Sequence, residues 1–568
     1  MHKRLVVSGA LGEDAHVAGV ASFLRLADEV GWETVYLGPA VSVEDFLWAI
    51  RENDAELVAI SYRLTPETGE ALLMKFVKAV KQEALENRRY VFGGTPPVVE
   101  IARKLGFFER CFSGKEPRDE VAAYLRGQLV GGAKEEDYPQ TFLGRLEWKR
   151  PHPLIRHHFG RPTVDETEKG IERIAEAMVI DVVSLGIDQD AQENFYHPER
   201  QDPTRKGAGG VPARSGEDYG RLYRASRRGN FPLLRVYSGT DDQLRLAQLY
   251  LDTIKNAWCA TSIFWFNQLD RRGPLGLEES IRTHQELMRW HAARDIPVEV
   301  NEPHHWGMRY APDTVYVVTS FLSAYNAKMM GVKDYIAQYM FNAPAELSDA
   351  MDLAKVSACI ELAESLAGNK FRVYRQTRTG LLSYPTDQDL AKGHLGASIY
   401  LQMAVKPDIV HVVGFPEADH ATTAEELIQS CRIARRAILN GMHGPPNMLI
   451  DPVVQKRKTE LIREARVTLD AIRQLAQPDV KDLLIDPETL SRSVSLGILD
   501  APHLKGHPLA KGRIRTKIIG GACVAVDEDG RQIGEKDRLV PLLREAGVPT
   551  GAASRTGRTR KHRRRLRK

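Results

Sequence analysis

Short apolar runs alternate with amphipathic, helix-length stretches along most of this sequence, in two successive series. The first occupies residues 1–127, with strand candidates at Leu5–Ser8, Thr34–Leu37, Leu57–Ser61, Tyr90–Phe92 and Cys111–Ser113. Parallel strands need crossover helices, so this spacing predicts a parallel sheet covered on both faces. Five such units fit a doubly wound, flavodoxin-like domain. The second series starts near Thr163. Its strand candidates are Val182–Gly186, Leu233–Tyr237, Ser262–Phe266, Val298–Asn301, Tyr335–Phe341, Phe371–Arg375 and Ile409–Val413. A run of this length favours a (β/α)8, TIM-type barrel over a second open sheet, with one of its eight strands not located. Residues 128–162, rich in Gly, Pro and charge, read as a linker. Residues 163–452 read as the barrel, and 453–550 as a charged helix followed by a small α+β lobe.

Composition narrows the class. With 568 residues, 43% hydrophobic and 27% charged, the chain can bury large cores and is neither wholly disordered nor fibrous. No apolar run approaches the roughly 20 residues that span a bilayer, and MHKRLVVSG has no secretory pattern. The cysteines Cys111, Cys259, Cys359, Cys431 and Cys523 are scattered and never in CxxC form. This argues against a disulfide scaffold, a structural zinc site and a cluster bound by a local cysteine motif. A reducing, cytoplasmic compartment is expected. Residues 555–568 hold nine of the 79 Lys and Arg, leaving 70 against 75 acidic residues elsewhere. The basic tail (551–568) is thus a separate electrostatic object. It reads either as a solvated, disordered end or as a non-specific, salt-dependent contact to nucleic acid or anionic lipid.

Ligands of doubly wound sheets bind beyond the carboxyl ends of the strands, where strand order reverses. There the first loop reads Asp14-x-His16-x-x-Gly19, the third strand ends at Ser61, and the fourth ends in Gly93-Gly94. No GxGxxG follows the first strand and no GxxxxGK[ST] is present, so a dinucleotide or P-loop nucleotide is not indicated. An imidazole is a common metal ligand, and its second ring nitrogen needs a partner that fixes tautomer and basicity. Asp14 is placed to be that partner. By itself Asp-x-His also fits a surface loop whose histidine caps a helix.

The combination of Asp14, His16, Gly19, Ser61, Gly93 and Gly94 resembles the cobalamin-binding domain of B12-dependent mutases and methionine synthases. The resemblance implies that His16 is the lower cobalt ligand and that Asp14 hydrogen-bonds it. It also implies that the displaced nucleotide tail lies beside Ser61 and the Gly-Gly pair. Arg63 stands where that family usually has leucine.

Scattered segments of residues 165–530 resemble the catalytic chain of glutamate mutase (methylaspartate mutase). They are Ser238-Gly239-Thr240-Asp241-Asp242, Asn301-Glu302-Pro303 and Val412-Val413-Gly414-Phe415-Pro416-Glu417-Ala418, with SLGILDAPHLKG and GACVAVDEDG nearer the end. The resemblance implies an adenosylcobalamin-dependent radical mutase, a barrel that encloses the reaction, and Glu417 as a contact to the adenosyl ribose. Of the family's three substrate-binding arginines, one falls opposite Tyr237 and another near Gln192; its amine-binding glutamate falls near Ser262, and its ribose-contacting lysine at Val413. The substrate is therefore expected to be a small carboxylic or amino acid-type compound other than glutamate.

Arg375 and Glu302 join Glu417 as candidate catalytic residues, and Arg235, Arg271 and Arg375 are candidate carboxylate partners. All three arginines equally fit structural ion pairs. Glu302-Pro303-His304-His305 could be a metal cluster, but adjacent histidines cannot easily point the same way on a strand, so it reads as a cavity wall or loop. His411, Asp419 and His420 could line the pocket or the surface. Phe264-Trp265-Phe266 reads as barrel packing, and the GAGG at 207–210 as a flexible loop. A homodimer is expected. The competing readings are a corrinoid-dependent methyltransferase and a non-enzymatic cobalamin sensor or carrier. The first is disfavoured because no helical cap precedes the first strand.

Overall fold

The computed structural model describes residues 4–116, 118–127, 135–207, 209–237, 239, 241–475 and 480–548. The basic tail, Ser238 and Thr240 lie outside the described residues. The chain divides into two compact units, residues 1–137 and 138–568.

The first unit is built on β1 (Leu5–Leu11), β2 (Glu33–Val41), β3 (Leu57–Tyr62), β4 (Arg89–Gly94) and β5 (Arg110–Phe112), all parallel, in the order β2-β1-β3-β4-β5. This is the expected doubly wound order, with the reversal between β1 and β3. Successive side chains leave a strand on opposite faces. Val7, Val58 and Phe92 accordingly pack against Phe46, Leu73 and Val98 on one side. Val6, Leu57 and Val91 pack against Val20, Leu24 and Trp32 on the other.

The second unit holds β6 (Leu154–Phe159), β7 (Val182–Leu185), β8 (Leu233–Arg235), β9 (Cys259–Thr261), β10 (Val298–Val300), β11 (Asp334–Phe341), β12 (Arg372–Thr379) and β13 (Ile409–His411). Their order, β8-β7-β6-β13-β12-β11-β10-β9, is a parallel barrel closed everywhere by strand pairing except between β8 and β9. That seam is bridged differently. Ala257 N–H donates to Leu234 O at 2.9 Å. The buried Asn256 amide accepts from Val236 N–H at 3.0 Å and donates to Trp258 O at 3.0 Å.

Three expectations change here. The unlocated strand is β6, and it lies within the stretch read as a linker, which also contains the helix Phe142–Lys149. Phe142 and Leu146 of that helix, with Leu154, Trp258 and Ile336, close the amino-terminal end of the barrel. The strand expected at Ser262–Phe266 is instead β9, at Cys259–Thr261, and the aromatic run is a buried loop after it. The GAGG stretch is partly anchored: Val211 N–H donates to Gly186 O at 2.7 Å, and a Cβ on Gly210 would lie 2.2 Å from the same oxygen.

After the barrel, the helix Pro452–Arg473 packs on the helices Asp313–Met329 and Asp349–Glu364. A hairpin of β14 (Thr516–Ile519) and β15 (Ala522–Ala525) follows. Buried Asp313 ties these pieces together, accepting from Cys523 N–H at 3.1 Å and pairing with Arg457 at 3.4 Å. Among the described residues no helix is long and apolar enough to cross a membrane. All five cysteines are buried and none is in a disulfide.

Candidate functional site

In the first unit the loop between β1 and the helix Ala18–Glu29 carries the Asp-x-His motif. Asp14 is fully buried and His16 is 61% exposed. Asp14 Oδ1 accepts from the backbone N–H of His16 at 2.9 Å and meets its Nδ1 at 2.7 Å. Asp14 Oδ2 accepts from Arg63 N–H at 2.6 Å, and Ala40 N–H donates to the Asp14 carbonyl at 2.9 Å. The carboxylate is thus pinned by backbone from β3's end while it fixes the imidazole. This leaves Nε2 without a partner among the described residues and pointing away from the carboxylate. A histidine so oriented is a competent metal ligand. What position 63 gives Asp14 is main chain, so an arginine serves there as well as a leucine.

Ser61 is buried, in register with Ala10 on one side and Gly93 on the other. The two glycines differ. A Cβ on Gly93 would meet nothing within 4 Å. One on Gly94 would sit 2.6 Å from Tyr62 O and 2.8 Å from the Phe92 ring. Gly94 is required by packing, and Gly93 borders open space that a ligand can enter. Gly19 lies exposed in the first turn of its helix, also with open space at its Cβ position. These residues fit a cobalamin: a presented imidazole, its buried orienting carboxylate, and an unfilled face beside the ends of β1, β3 and β4.

In the barrel, alternate strands supply layers of side chains to the interior. One layer is Arg156 of β6, Arg235 of β8, Glu299 of β10 and Gln376 of β12. Glu299 pairs with Arg156 at 2.8 Å and Arg235 at 2.9 Å, and accepts from Trp258 Nε1 at 2.6 Å. Gln376 Oε1 accepts from Arg156 at 2.9 Å. Burial alone would raise the pKa of Glu299, but the two guanidinium groups and the indole hold it down at about 2. Two residues further along each strand come His158, Tyr237, Asn301 and Arg378. The His158 and Tyr237 rings stack at 5.8 Å, and His411 lies 4.9 Å from His158. Burial, reinforced by the nearby arginines, pushes His158 and His411 well below the usual imidazole range, so both are neutral.

The sequence-derived candidates are only partly brought together. Glu302 is buried at the carboxyl end of β10. It accepts from Ser262 Oγ (2.6 Å), Ile263 N–H (2.7 Å), Phe264 N–H (3.1 Å) and Trp306 Nε1 (2.8 Å). Its carboxylate is saturated, so it shapes the loop after β9 and is not free to react. Glu417 stands exposed on the rim and accepts from Thr422 Oγ1 at 3.0 Å, with the charge of Arg378 acting on it. Arg375 does not join them. It lies on the opposite face of β12 from Gln376, with its side chain bound to Glu364 and the Val405 carbonyl. Arg271 is exposed. His304 and His305 lie on a short helix, Pro303–Gly307, as a buried wall with rings 4.1 Å apart. His420 is taken on the surface by Asp419 and Glu426.

Sequence reasoning missed Arg156, His158, Asn301 as a lining residue and, above all, Arg378. Had the strand candidate at 371–375 been continued, Gln376 and Arg378 would have fallen on one face by period two, opposite Arg375.

Comparison with known proteins agrees with the first unit. The family described as B12 binding domain matches residues 4–122. Glutamate mutase sigma subunit 2 of Haloarcula marismortui is 27% identical over 140 residues, covering 23% of this chain and 93% of that subunit. Dimethylamine corrinoid protein 3 of Methanosarcina acetivorans is 27% identical over 103 residues, 18% of this chain and 47% of that protein. A cobalamin-binding protein structure from Desulfitobacterium hafniense is 21% identical, covers 22% of this chain and 57% of that one, and has a TM-score of 0.19. Residues 4–122 are therefore a B12-binding domain, similar to the sigma subunits of glutamate mutase, on a chain that continues into an eight-stranded parallel barrel.

Proposed function

We propose that this chain is an adenosylcobalamin-dependent radical isomerase, a carbon-skeleton mutase acting on a small carboxylic or amino acid-type substrate other than glutamate. The observation that carries the reading is a B12-binding domain on the same chain as a barrel lined by buried, partnerless polar atoms. In this reading His16 is the lower cobalt ligand and Asp14 its orienter. Ser61, Gly93 and Gly94 border the nucleotide tail, Gly19 leaves room at the helix start, and Glu417 contacts the ribose. Adenosylcobalamin, when bound, supplies a carbon-centred radical by homolysis of its cobalt–carbon bond. The barrel's part is to hold the substrate, keep water out and confine reactive species. Its amino-terminal end is closed by Trp258, Phe142 and Leu154, and the layer of Arg156, Arg235, Glu299 and Gln376 bars the axis above them. Glu302 keeps the loop 262–266 folded over that chamber. A homodimer and tail-mediated contacts to nucleic acid belong to the same proposal, as subjects for light scattering and salt-dependent gel shifts.

The similarity to a dimethylamine corrinoid protein supports a second reading, methyl transfer from a corrinoid. Mixing the protein with adenosylcobalamin and candidate acids under anaerobic conditions separates the two. An isomerase gives cob(II)alamin coupled to an organic radical, and rearranged product. A methyltransferase gives neither, and instead demethylates methylcobalamin in the presence of an acceptor.

A further inference from the structure

The barrel interior holds more positive charge than it neutralises. Arg378, on β12, is 7% exposed, and its side chain makes no hydrogen bond or ion pair among the described residues. The buried acids cannot serve it. Glu299 is shared between Arg156, Arg235 and the Trp258 indole. Glu302 is occupied by four neutral donors. Glu417 stands exposed; its charge acts on Arg378, but no ion pair joins the two among the described residues. The imidazoles around Arg378, those of His158, His304 and His411, contribute no compensating negative charge. A buried guanidinium left alone is costly, and its planar fork matches a carboxylate in two parallel hydrogen bonds.

Further atoms of the same interior are in the same condition. Both amide atoms of Asn301, one position past β10, are buried without a partner. So are Nε and Nη1 of Arg235, Oγ of Ser184 and Nδ1 of His411. Orphaned buried polar groups are rare in folded proteins, and here they converge on the ligand-binding end of the barrel. Among the described residues they offer donors in excess and a neutral amide; the one carboxylate near Arg378 that is not fully hydrogen-bonded, Glu417, stands exposed on the rim. An ammonium group entering the chamber itself would meet guanidinium charges and acids that are already paired or saturated.

We propose that Arg378 binds the carboxylate of the substrate and that this substrate is a small carboxylic acid bearing no ammonium group. The proposal rests on the reading of the barrel as the reaction chamber, and deepens it by fixing the substrate class.

The test uses the full-length protein and two matched pairs, succinate against aspartate and glutarate against glutamate, titrated by calorimetry. Each pair differs by one ammonium group. The expected result is binding of at least one unaminated acid, about 10- to 100-fold tighter than its amino partner, as follows from a charge-assisted fork set against an uncompensated cation. Arg378→Gln should lose that binding by a similar factor. It should also melt higher than wild type without ligand, because it removes an unpaired buried charge; a merely structural arginine would lower the melting temperature on removal. Arg372→Gln, which breaks an ion pair with Asp334 on the exposed start of the same strand, should leave binding unchanged. Equal or tighter binding of the amino acids, failure of all four acids to bind at millimolar concentration, or full binding by Arg378→Gln would each overturn the proposal. Cobalamin binding is measured separately. Loss of acid binding in Arg378→Gln in a protein that binds no cobalamin would sink the isomerase reading and leave this assignment standing.

Discussion

Replacing Glu299 by glutamine tests what holds the barrel's interior layer together. Among the described residues Glu299 is the one carboxylate between Arg156 and Arg235, all three fully buried. Its pKa falls from 4.5 to about 2, which corresponds to about 3 kcal/mol of folding free energy. Arg156 moves the other way, pushed down to about 10 by burial and by Arg235 despite the attraction of Glu299. The intact triad is therefore close to break-even, while removing the acid alone strands two cations, a loss of about 3–5 kcal/mol. The pH dependence follows in sign. The folded pKa lies below the unfolded one, so the contribution is complete above pH 4.5 and is lost as pH falls toward 2. Glutamine imitates the protonated acid, so wild type and variant should converge over that window. Urea unfolding followed by circular dichroism, with hydrogen exchange of peptides from β6 and β10 to identify the barrel transition, measures the gap. A gap below about 1 kcal/mol at neutral pH, or one that stays constant on acidification, would refute the reasoning. Adding Arg235→Gln to the variant should restore part of the loss, since the two sites are coupled.

Three further outcomes are expected. Gly93→Ala should leave stability unchanged, since its Cβ meets nothing within 4 Å, yet weaken cobalamin binding by narrowing the open face; thermal melts and spectrophotometric titration read the two separately. Gly94→Ala should instead destabilise the first unit by about 1–3 kcal/mol, because its Cβ meets the Tyr62 carbonyl oxygen at 2.6 Å. Asn256→Ala should open the β8–β9 seam by orphaning Val236 N–H and Trp258 C=O, at about 1–3 kcal/mol for each group, with faster amide exchange confined to those two strands.

The first unit was legible in the sequence because both faces of its sheet are apolar. Val6 and Val7, Leu57 and Val58, and Val91 and Phe92 read as unbroken hydrophobic runs, and the Asp14–His16 pair closes within one loop. The barrel was legible only where its strands are apolar on both faces. In β6 the inward residues Arg156 and His158 break the run, and Leu154-Ile155-Arg156-His157-His158-Phe159 looks like a charged linker. The carboxyl half of β12 hides its strand character for the same reason, through Gln376 and Arg378. Polar interiors invert the pattern that marks a half-buried strand, and the inverted positions are the ones that face the chamber. Residue type also misled at Arg375 and Glu302. Both have the right chemistry, but Glu364 and the loop after β9 take up their charged groups.

The central claim is that this chain holds cobalamin through His16. Its most direct test is an electron paramagnetic resonance spectrum of the bound cob(II)alamin form, in wild type and in His16→Ala. The account predicts nitrogen superhyperfine splitting from the imidazole in wild type, absent in His16→Ala and broadened or weakened in Asp14→Asn, which loses the carboxylate that orients the ring. Identical splitting in wild type and His16→Ala, or no cobalamin bound by wild type, would contradict it.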